Sequence, residues 1–213
     1  MKNLNKVITI HIKHFFVYAF SALTFIPAYS SSSSSEKYIL DSDFSVTIHG
    51  TSNLHDWEEK VNKVEGTGHI DWNEDGTFNL NSITIKMQVN SIKSDNAVME
   101  KKTYAALKER QFPEITFTLA APALSIRDGS SGTVFTVKGN LTIAGITRTV
   151  DMQVKIQMSA HEKLSFTGSQ KINMTDYGVE PPTALFGMLK TGDTITLDFK
   201  TSFVINTSTE LLN

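Results

Sequence analysis

The side chains best suited to chemistry lie in one short segment, between His49 and Trp57. His49, His55 and Asp56 supply imidazole and carboxylate groups, which bind zinc or act as general acids and bases in other proteins. Their spacing matches no metal-binding motif, and the residues from Asn53 to Asp56 are also typical of a turn held by local hydrogen bonds. Three interpretations stay open: turn residues, contacts to a ligand head group, or a weak metal or hydrolase site at His49 and His55.

Other signatures of catalysis are absent from the sequence. It contains no G-x-S-x-G nucleophile motif, no phosphate-binding loop and no dinucleotide fingerprint. Cysteine is absent altogether, which excludes disulfides, thiolate metal sites and a cysteine nucleophile. An enzymatic function therefore has no specific support, and we expect no catalytic residue, no metal and no cofactor. The net charge of −2 gives no basic surface for nucleic acid.

The N-terminal segment is typical of a secretory leader. Three lysines precede an uncharged apolar stretch from Phe15 to Ile26, and the small-x-small pattern Ala28-Tyr29-Ser30 follows. A membrane anchor is the competing interpretation, but about twelve apolar residues fall short of the roughly 20 that span a bilayer. We therefore expect a cleavable signal peptide over residues 1–30, a periplasmic or secreted location, and no stable membrane span after cleavage.

The remaining chain divides into three parts. A serine tract over residues 31–36 has no means of burying surface and is expected to be a flexible spacer. Residues 37–206 are long enough for one domain with a real core. Residues 207–213 form a C-terminal tail. Without disulfides, the domain must be held together by its core alone.

Strict alternation of apolar and polar residues runs from Val134 to Met158 across the small turn Ala144-Gly145. Because successive side chains of a strand point to opposite faces, this pattern predicts two long strands with one dry face and one wet face. Two strands cannot cover such a dry face by themselves. Six further strands are predicted, over Tyr38–His49, Glu58–Trp72, Phe78–Val89, Ile115–Leu119, Leu164–Met174 and Asp193–Ile205.

Two segments break the strand pattern. The first predicts a helix from about Ala97 to Arg110, capped by Ser94 or Asp95 and ended by Pro113. Its expected buried side consists of Val98, Met99, Tyr104, Ala105 and Leu107. The second follows Pro181-Pro182, where the segment from Ala184 to Lys190 predicts a short helical insert.

Eight antiparallel strands in mostly sequential order predict an all-β fold, either a closed barrel or a two-sheet sandwich. Several of the strands run to about 11 to 13 residues, which is longer than usual. Long strands favour a tall barrel, and a tall barrel can enclose a long, thin cavity.

The segment from Val137 to Arg148, VKGNLTIAGITR, resembles the motif V-x-G-x-L-T-I-x-G-V-T-[KR] of the YceI-like family of exported lipid-binding proteins. Tyr38-Ile39-Leu40-Asp41, the stretch Phe112 to Phe117 and the segment before the final strand match the family in order. The segments Gly50–Glu58 and Met174–Pro182 depart from the commoner pattern. They indicate a sub-branch with a different mouth or cap. For this sub-branch we expect a ligand with an apolar chain, without restricting it to a polyisoprenoid.

The resemblance implies an eight-stranded antiparallel lipocalin-like barrel with one α-helix and a short helical insert. Such a barrel would enclose a polyisoprenoid or similar fatty amphiphile for storage, transport or sequestration. Family members are not enzymes in any established sense, and they often pair, so a homodimer is one expected arrangement. The alternative is the same barrel filled by side chains, which would act through contacts with another envelope protein.

The candidate site residues fall into two sets. Five residues are candidates for contacts to a ligand head group: His49, His55, Asp56, Trp57 and Lys93. The candidate channel residues are inward-facing strand positions together with three residues of the insert that would form a lid or a plug: Phe44, Val46, Ile48, Ile85, Met87, Phe117, Phe135, Val137, Leu141, Ile143, Met152, Val154, Ile156, Leu185, Phe186, Met188, Leu197 and Phe199.

Overall fold

The computed structural model describes residues 35–127, 134–159 and 163–207, and for Leu185 it describes the backbone alone. The signal-peptide prediction, most of the spacer and residues 208–213 lie outside this part of the chain. Ser35 and Glu36, which were expected in the spacer, belong to the first strand.

Thirteen strand segments and one α-helix make up the described part, with short 3-10 turns between them. The helix is α1 (Ala97–Ala106). The strands are β1 (Ser35–Leu40), β2 (Ser45–Ser52), β3 (Trp57–Val61), β4 (Val64–Trp72), β5 (Phe78–Gln88), β6 (Ile92–Lys93), β7 (Glu114–Leu119), β8 (Ala123–Ile126), β9 (Val134–Ile143), β10 (Ile146–Ser159), β11 (Lys163–Asn173), β12 (Thr183–Ala184) and β13 (Leu189–Ile205).

Pairing between neighbouring strands closes the sheet into a ring. The strands follow the antiparallel order β1-β4-β5-β7-β9-β10-β11-β13, and β13 pairs back to β1. Along one edge of β13, its C-terminal part pairs with β1 and its N-terminal part pairs with β2. At the next position of the ring, β4 pairs with β1 and β3 pairs with β2. Strands β1 and β2 thus share one position of the ring, and β3 and β4 share the next. The fold is therefore the predicted closed eight-stranded antiparallel barrel and not a two-sheet sandwich.

The first predicted strand is interrupted between Leu40 and Ser45. The backbone amide of Ser42 donates to the Asp41 carboxylate at 2.7 Å, and Lys163 forms an ion pair with the same carboxylate at 2.7 Å. These side-chain partners replace regular ladder bonds at this point. Alternation alone does not reveal the interruption, because Val46 and Ile48 keep the inward parity.

The predicted helical insert is reduced to one 3-10 turn, Leu185–Gly187, at the tip of a β-hairpin. Ala184 lies in β12 and pairs with Leu189, the first residue of β13. Between them, Phe186 and Gly187 have φ values of 56° and 86°. This left-handed backbone reverses the chain and cannot continue a right-handed helix. The insert is therefore the tip of a β-hairpin.

Helix α1 begins at the predicted residue, Ala97, but its capping residue and its end differ from the prediction. The Asn96 side chain, not Ser94 or Asp95, caps the helix by accepting bonds from the amides of Val98 and Met99. The helix ends at Ala106, and Lys108, with φ of 55°, ends the helical path before Arg110.

The predicted buried side of α1 is only partly correct. Val98 and Ala105 are exposed, whereas Met99, Tyr104 and Leu107 are half-buried. No residue of the helix is fully buried. Helix α1 therefore covers the barrel loosely, as a lid would, and does not contribute a packed core layer.

Side chains fill one end of the barrel. The largest fully buried residues of this end are Tyr38, Ile70, Phe78, Leu80, Ile156, Leu164 and Phe203. The ring of Phe166 packs edge-on against Phe203 at 5.6 Å, and the Trp72 indole donates to the Tyr38 hydroxyl at 3.0 Å. This closed end lies away from α1 and is a solid core.

Gly139 in β9 allows an aromatic ring to lie against the strand. A Cβ atom at this position would sit 2.0 Å from a ring carbon of Phe117 in the neighbouring strand β7. Real Cβ atoms do not approach so closely, so any other residue here displaces the ring. The glycine of the V-x-G motif therefore has a packing role.

We expect Gly139→Ala to lower the free energy of unfolding by about 1–3 kcal/mol, because it overpacks a well-filled site. Urea denaturation of the four proteins of a Gly139→Ala and Phe117→Ala cycle measures this cost and its source. The glycine substitution should cost less when the ring is absent. An equal cost in both backgrounds would contradict the assigned contact.

Candidate functional site

A cavity of about 220 Å³, the upper cavity, lies beneath α1 at the open end of the barrel. It is bounded by α1, by the ends of several strands and by the hairpin of β12 and β13. Its lining residues are Ile48, Ser52, His55, Trp57, Glu59, Asn96, Val98, Met99, Lys102, Thr103, Ala106, Leu107, Ile115, Ile143, Ile172, Met174, Tyr177, Val179, Pro182, Thr183, Ala184, Leu189, Thr191 and Ile195.

A second cavity of about 80 Å³, the lower cavity, lies inside the barrel. Gln170 and Thr201 are its only polar lining residues within the described part of the chain. The others are Val46, Leu80, Ile83, Ile85, Met87, Phe117, Leu119, Val137, Leu141, Met152, Val154, Phe166, Leu197, Phe199 and Phe203.

The two cavities follow one another along the barrel axis. On five strands, one inward residue lines the upper cavity and the next inward residue, two positions away, lines the lower cavity. Because inward residues alternate along a strand, such a pair is separated by only about 7 Å. The five pairs are Ile48 and Val46, Ile115 and Phe117, Ile143 and Leu141, Ile172 and Gln170, and Ile195 and Leu197. Together the cavities outline one elongated, mostly apolar path that ends at the filled core.

Polarity changes along this path. The polar residues of the upper cavity come mainly from its outer elements, namely the turn before β3, the helix α1 and the hairpin of β12 and β13; they include Ser52, His55, Asn96, Lys102, Thr183 and Thr191. Isoleucines of the barrel strands line the inner part. The polarity of the path therefore falls from the rim toward the interior of the barrel.

Glu59 is the exception to the apolar interior. It lies on β3 opposite Ile48, lines the upper cavity and is only 2% exposed. The Thr103 hydroxyl of α1 donates to its two carboxylate oxygens, at 2.9 and 3.0 Å. Burial raises the pKa of Glu59, the bond from Thr103 opposes the rise, and the nearby Glu100 carboxylate adds to it. The carboxyl group therefore favours its neutral form more than an exposed glutamate does.

Polar contacts fasten α1 over the upper cavity. The Tyr104 hydroxyl donates to the Ile92 carbonyl at 2.7 Å, and Lys93 contacts both Tyr104 and Glu100. The hydrogen bond with Tyr104 raises the pKa of Lys93, and the bond from Lys93 lowers the pKa of Glu100. On the other side, Lys102 donates to the Thr183 carbonyl at 2.6 Å. The lid is held at its edges, with Thr103 and Glu59 beneath it.

Two of the five head-group candidates line the upper cavity. His55 is one, and its Nδ1 lies 2.7 Å from the Asp56 carbonyl. Trp57 is the other; its indole donates to the Thr51 carbonyl at 3.0 Å, and its ring lies against Gly50. Asp56 and Lys93 are not among the lining residues. Lys93 instead holds α1 from outside.

His49 faces the outside of the barrel. Its ring nitrogens lie 3.7 Å from the Glu58 carboxylate and 3.3 Å from that of Asp198, and all three side chains are about half exposed. The structure therefore separates His49 from His55. Within the described ranges, no group of three His, Asp or Glu side chains is arranged to hold a metal ion.

Local hydrogen bonds hold the turn that contains His55, as the turn interpretation expects. The Ser52 hydroxyl donates to the His55 carbonyl at 2.7 Å and accepts from the His55 amide at 3.1 Å. The Asn53 side chain donates to the Met188 carbonyl at 2.7 Å and accepts from the Lys190 amide at 2.9 Å. The turn and the β12–β13 hairpin thus support each other at the rim.

Most of the candidate channel residues line one of the two cavities. The lining members are Val46, Ile48, Ile85, Met87, Phe117, Val137, Leu141, Ile143, Met152, Val154, Leu197 and Phe199. Phe44, Phe135 and Ile156 pack in or against the hydrophobic core and line neither cavity. Phe186 and Met188 are exposed at the hairpin tip, and the side chain of Leu185 lies outside the described part.

Sequence reasoning missed Glu59, Thr103 and Tyr177. A signal for Glu59 was available, because it shares the inward parity of Trp57 and Val61 on β3. Tyr177 lines the upper cavity from a 3-10 turn, and burial raises the pKa of its hydroxyl. No periodicity marks such a turn residue, so it was not identifiable from the pattern.

Solved structures share this fold at low sequence identity. A polyisoprenoid-binding domain from Saccharophagus degradans, implicated in plant cell wall breakdown, matches with a TM-score of 0.62 and 15% identity, over 79% of this chain and 98% of that one. BcnA from Burkholderia cenocepacia matches with a TM-score of 0.60 and 17% identity, over 76% and 98%. A YceI protein of Campylobacter jejuni gives 0.52 and 17%, over 70% and 84%. No curated protein matches the chain.

The closed barrel with a mostly apolar interior defines a binding-type protein of lipocalin-like architecture. The YceI-like domain matches residues 24–203, and the chain belongs to the YceI-like family. This family has a binding-type barrel fold and is not known as enzymatic. Among the described helices, none combines the length and the apolar character needed to cross a membrane.

We expect Glu59→Gln to change how stability depends on pH. The folded state raises the pKa of Glu59 above its ordinary value of 4.5. As the pH rises from that value, the folded protein therefore holds more protons than the unfolded protein. Stability of the unsubstituted protein should therefore fall relative to Glu59→Gln as the pH increases. Urea denaturation between about pH 4 and about pH 8 measures the difference. Parallel curves for the two proteins would contradict the shift.

Proposed function

We propose that this protein binds a single amphiphile with a long apolar chain, a polyisoprenoid or a similar lipid, for storage, transport or sequestration. The chain would occupy the upper and lower cavities in turn, and the polar end would remain under α1. The observation that carries the proposal is the stacking of the two cavities on five shared strands. The printed description of the Saccharophagus degradans domain as polyisoprenoid-binding supports the ligand class.

Burial of apolar surface would supply most of the affinity, at about 25 cal/mol per Å² removed from water. Gln170 and Thr201 are the only described polar residues of the lower cavity, so few groups there would lose water without a partner. Met87 and Met152 in its wall have flexible side chains that adapt to a chain of irregular shape. The lower cavity, with about 80 Å³, would then widen as the chain enters.

The setting of this activity is part of the proposal. The leader-like residues 1–30 support export to the periplasm or beyond, where a carrier would keep an insoluble lipid away from water. Binding and release would occur without chemical change of the ligand. A homodimer remains an expectation drawn from the family resemblance.

The proposal makes the lower cavity a determinant of chain length. Val46→Phe would place a larger side chain in its wall, while Thr47→Phe, one residue along β2, adds the same ring on the outward face. We expect Val46→Phe to bind short prenols such as farnesol as the unsubstituted protein does. Its affinity for long polyprenols should fall by at least about tenfold, which corresponds to 1.4 kcal/mol. Thr47→Phe should bind the whole series as the unsubstituted protein does.

Native mass spectrometry of each protein, incubated with prenols of increasing length, measures bound lipid directly. Circular dichroism of the same samples checks that the barrel is folded. Equal retention of long chains by both variants would contradict the assigned path. A protein that takes up no prenol of any length would support the alternative of a filled interaction barrel.

A further inference from the structure

Glu59 has fewer hydrogen-bond partners than its chemistry allows. Both carboxylate oxygens accept from one Thr103 hydroxyl, which has a single proton to donate. A carboxylate offers about four acceptor sites, and a buried one normally has several donors. Glu59 is 2% exposed and lines a mostly apolar cavity, so water does not supply the missing partners freely. The charged form is therefore poorly supported here.

The charged and titratable groups around Glu59 do not compensate for this. On α1, Glu100 is bound by Lys93, and Lys102 donates to the Thr183 carbonyl at the rim. His55 and Tyr177 are the other titratable residues of the lining. On β3, the neighbouring Glu58 and Lys60 pair with each other on the outer face. No ion pair connects Glu59 to a cation among the described residues.

A neutral carboxyl group has a proton to donate, and a donor left unpaired in an apolar cavity is unfavourable. The Thr103 hydroxyl has one proton and lies close to both carboxyl oxygens, so it leaves part of their hydrogen-bonding capacity unused in either protonation state. A hydroxyl group of a ligand in the upper cavity, which both donates and accepts, would be a further partner. Glu59 would then fix the position of the polar end one inward residue below Trp57.

We propose that the Glu59 carboxyl group, held by Thr103, forms a hydrogen bond with a hydroxyl group of the ligand. The inference rests on the proposed function and specifies its ligand class. It selects lipids with a neutral polar end over lipids that end in a phosphate or diphosphate. The Thr103 contact also connects the bound end to the lid formed by α1.

An anionic head group fits this cavity poorly. Placing a phosphate beside a buried acid requires a cation to offset both charges. Lys102 is the single lysine of the lining, and its ammonium group is held at the rim by the Thr183 carbonyl. A diphosphate would therefore either remain outside the cavity or draw Lys102 away from the hairpin.

The test compares geranylgeraniol with geranylgeranyl diphosphate, which share one chain and differ only in the polar end. Binding is measured by fluorescence competition for the unsubstituted protein and for Glu59→Gln, Glu59→Leu, Lys102→Met and Glu58→Gln. Glu58→Gln is the matched control, since Glu58 is the outward neighbour on β3 and half exposed. Circular dichroism confirms the fold of each variant.

We expect the unsubstituted protein to prefer the alcohol by about tenfold or more. Glu59→Gln, whose amide still donates, should bind the alcohol with an affinity within about threefold of the unsubstituted protein. The affinity of Glu59→Leu for the alcohol should fall by about 5- to 100-fold. Glu58→Gln should bind both lipids unchanged. If Glu59→Leu does not fold, Glu59→Met, which also removes both oxygens, replaces it with the same expected loss.

Two results would overturn the inference while leaving the proposed function intact. One is tighter binding of the diphosphate that Lys102→Met abolishes, which would locate a phosphate site at the rim. The other is alcohol binding that no change at Glu59 affects. Failure of the unsubstituted protein to bind either lipid would instead overturn the proposed function, and the inference with it.

Discussion

The architecture depends on the pairing of one long strand with three others. Strand β13 pairs with β11 along one edge, and with β2 and then β1 along the other. Without the second set of pairings, β1 and β2 at one side and β13 at the other would be open edges. Closure removes both edges and turns every inward residue toward one enclosed axis. The interior exists because this strand is long enough to meet both β2 and β1.

What fills the interior differs between its two ends. Large side chains such as Tyr38, Phe78 and Phe203 pack the closed end, while isoleucines and two methionines leave space toward α1. Gly139 contributes to this arrangement by letting the Phe117 ring lie close against β9. At the open end, a loosely packed helix replaces a core layer, and its polar contacts are concentrated at its edges. Glu59 is the one acidic residue that is fully buried in the described part.

Much of the barrel was predictable from alternation, because a strand with one buried face must alternate. The hairpin from Val134 to Met158 is confirmed, with the turn at Ala144 and Gly145. Alternation does not report interruptions that preserve parity, so the break between β1 and β2 was missed. The helical insert is shorter than predicted because Phe186 adopts a left-handed backbone, which favours glycine or asparagine and is not expected of phenylalanine.

The site was less predictable than the fold. Inward parity found most of the cavity lining but treated cavity and filled core alike, so Ile156 and Phe135 were grouped with Val46 and Leu141. Whether an inward residue lines a cavity or a filled core depends on the side-chain volumes of all eight strands together. The sequence of one strand does not determine it. His49 was grouped with His55 by sequence proximity, although the pleat turns His49 outward. Glu59 is identified by a different feature, because it is an acidic residue at an inward position of an otherwise apolar face.

The central claim is that an apolar chain enters the barrel as far as the lower cavity. Methyl NMR of protein labelled at methionine tests it directly, since Met87 and Met152 line the lower cavity and Met158 is exposed near the end of β10. With a long polyprenol added, we predict nuclear Overhauser contacts from the Met87 and Met152 methyl groups to the prenyl chain, and none from Met158. Contacts confined to Met99 and Met188, at α1 and the hairpin tip, would show that the chain does not reach the lower cavity and would contradict the account.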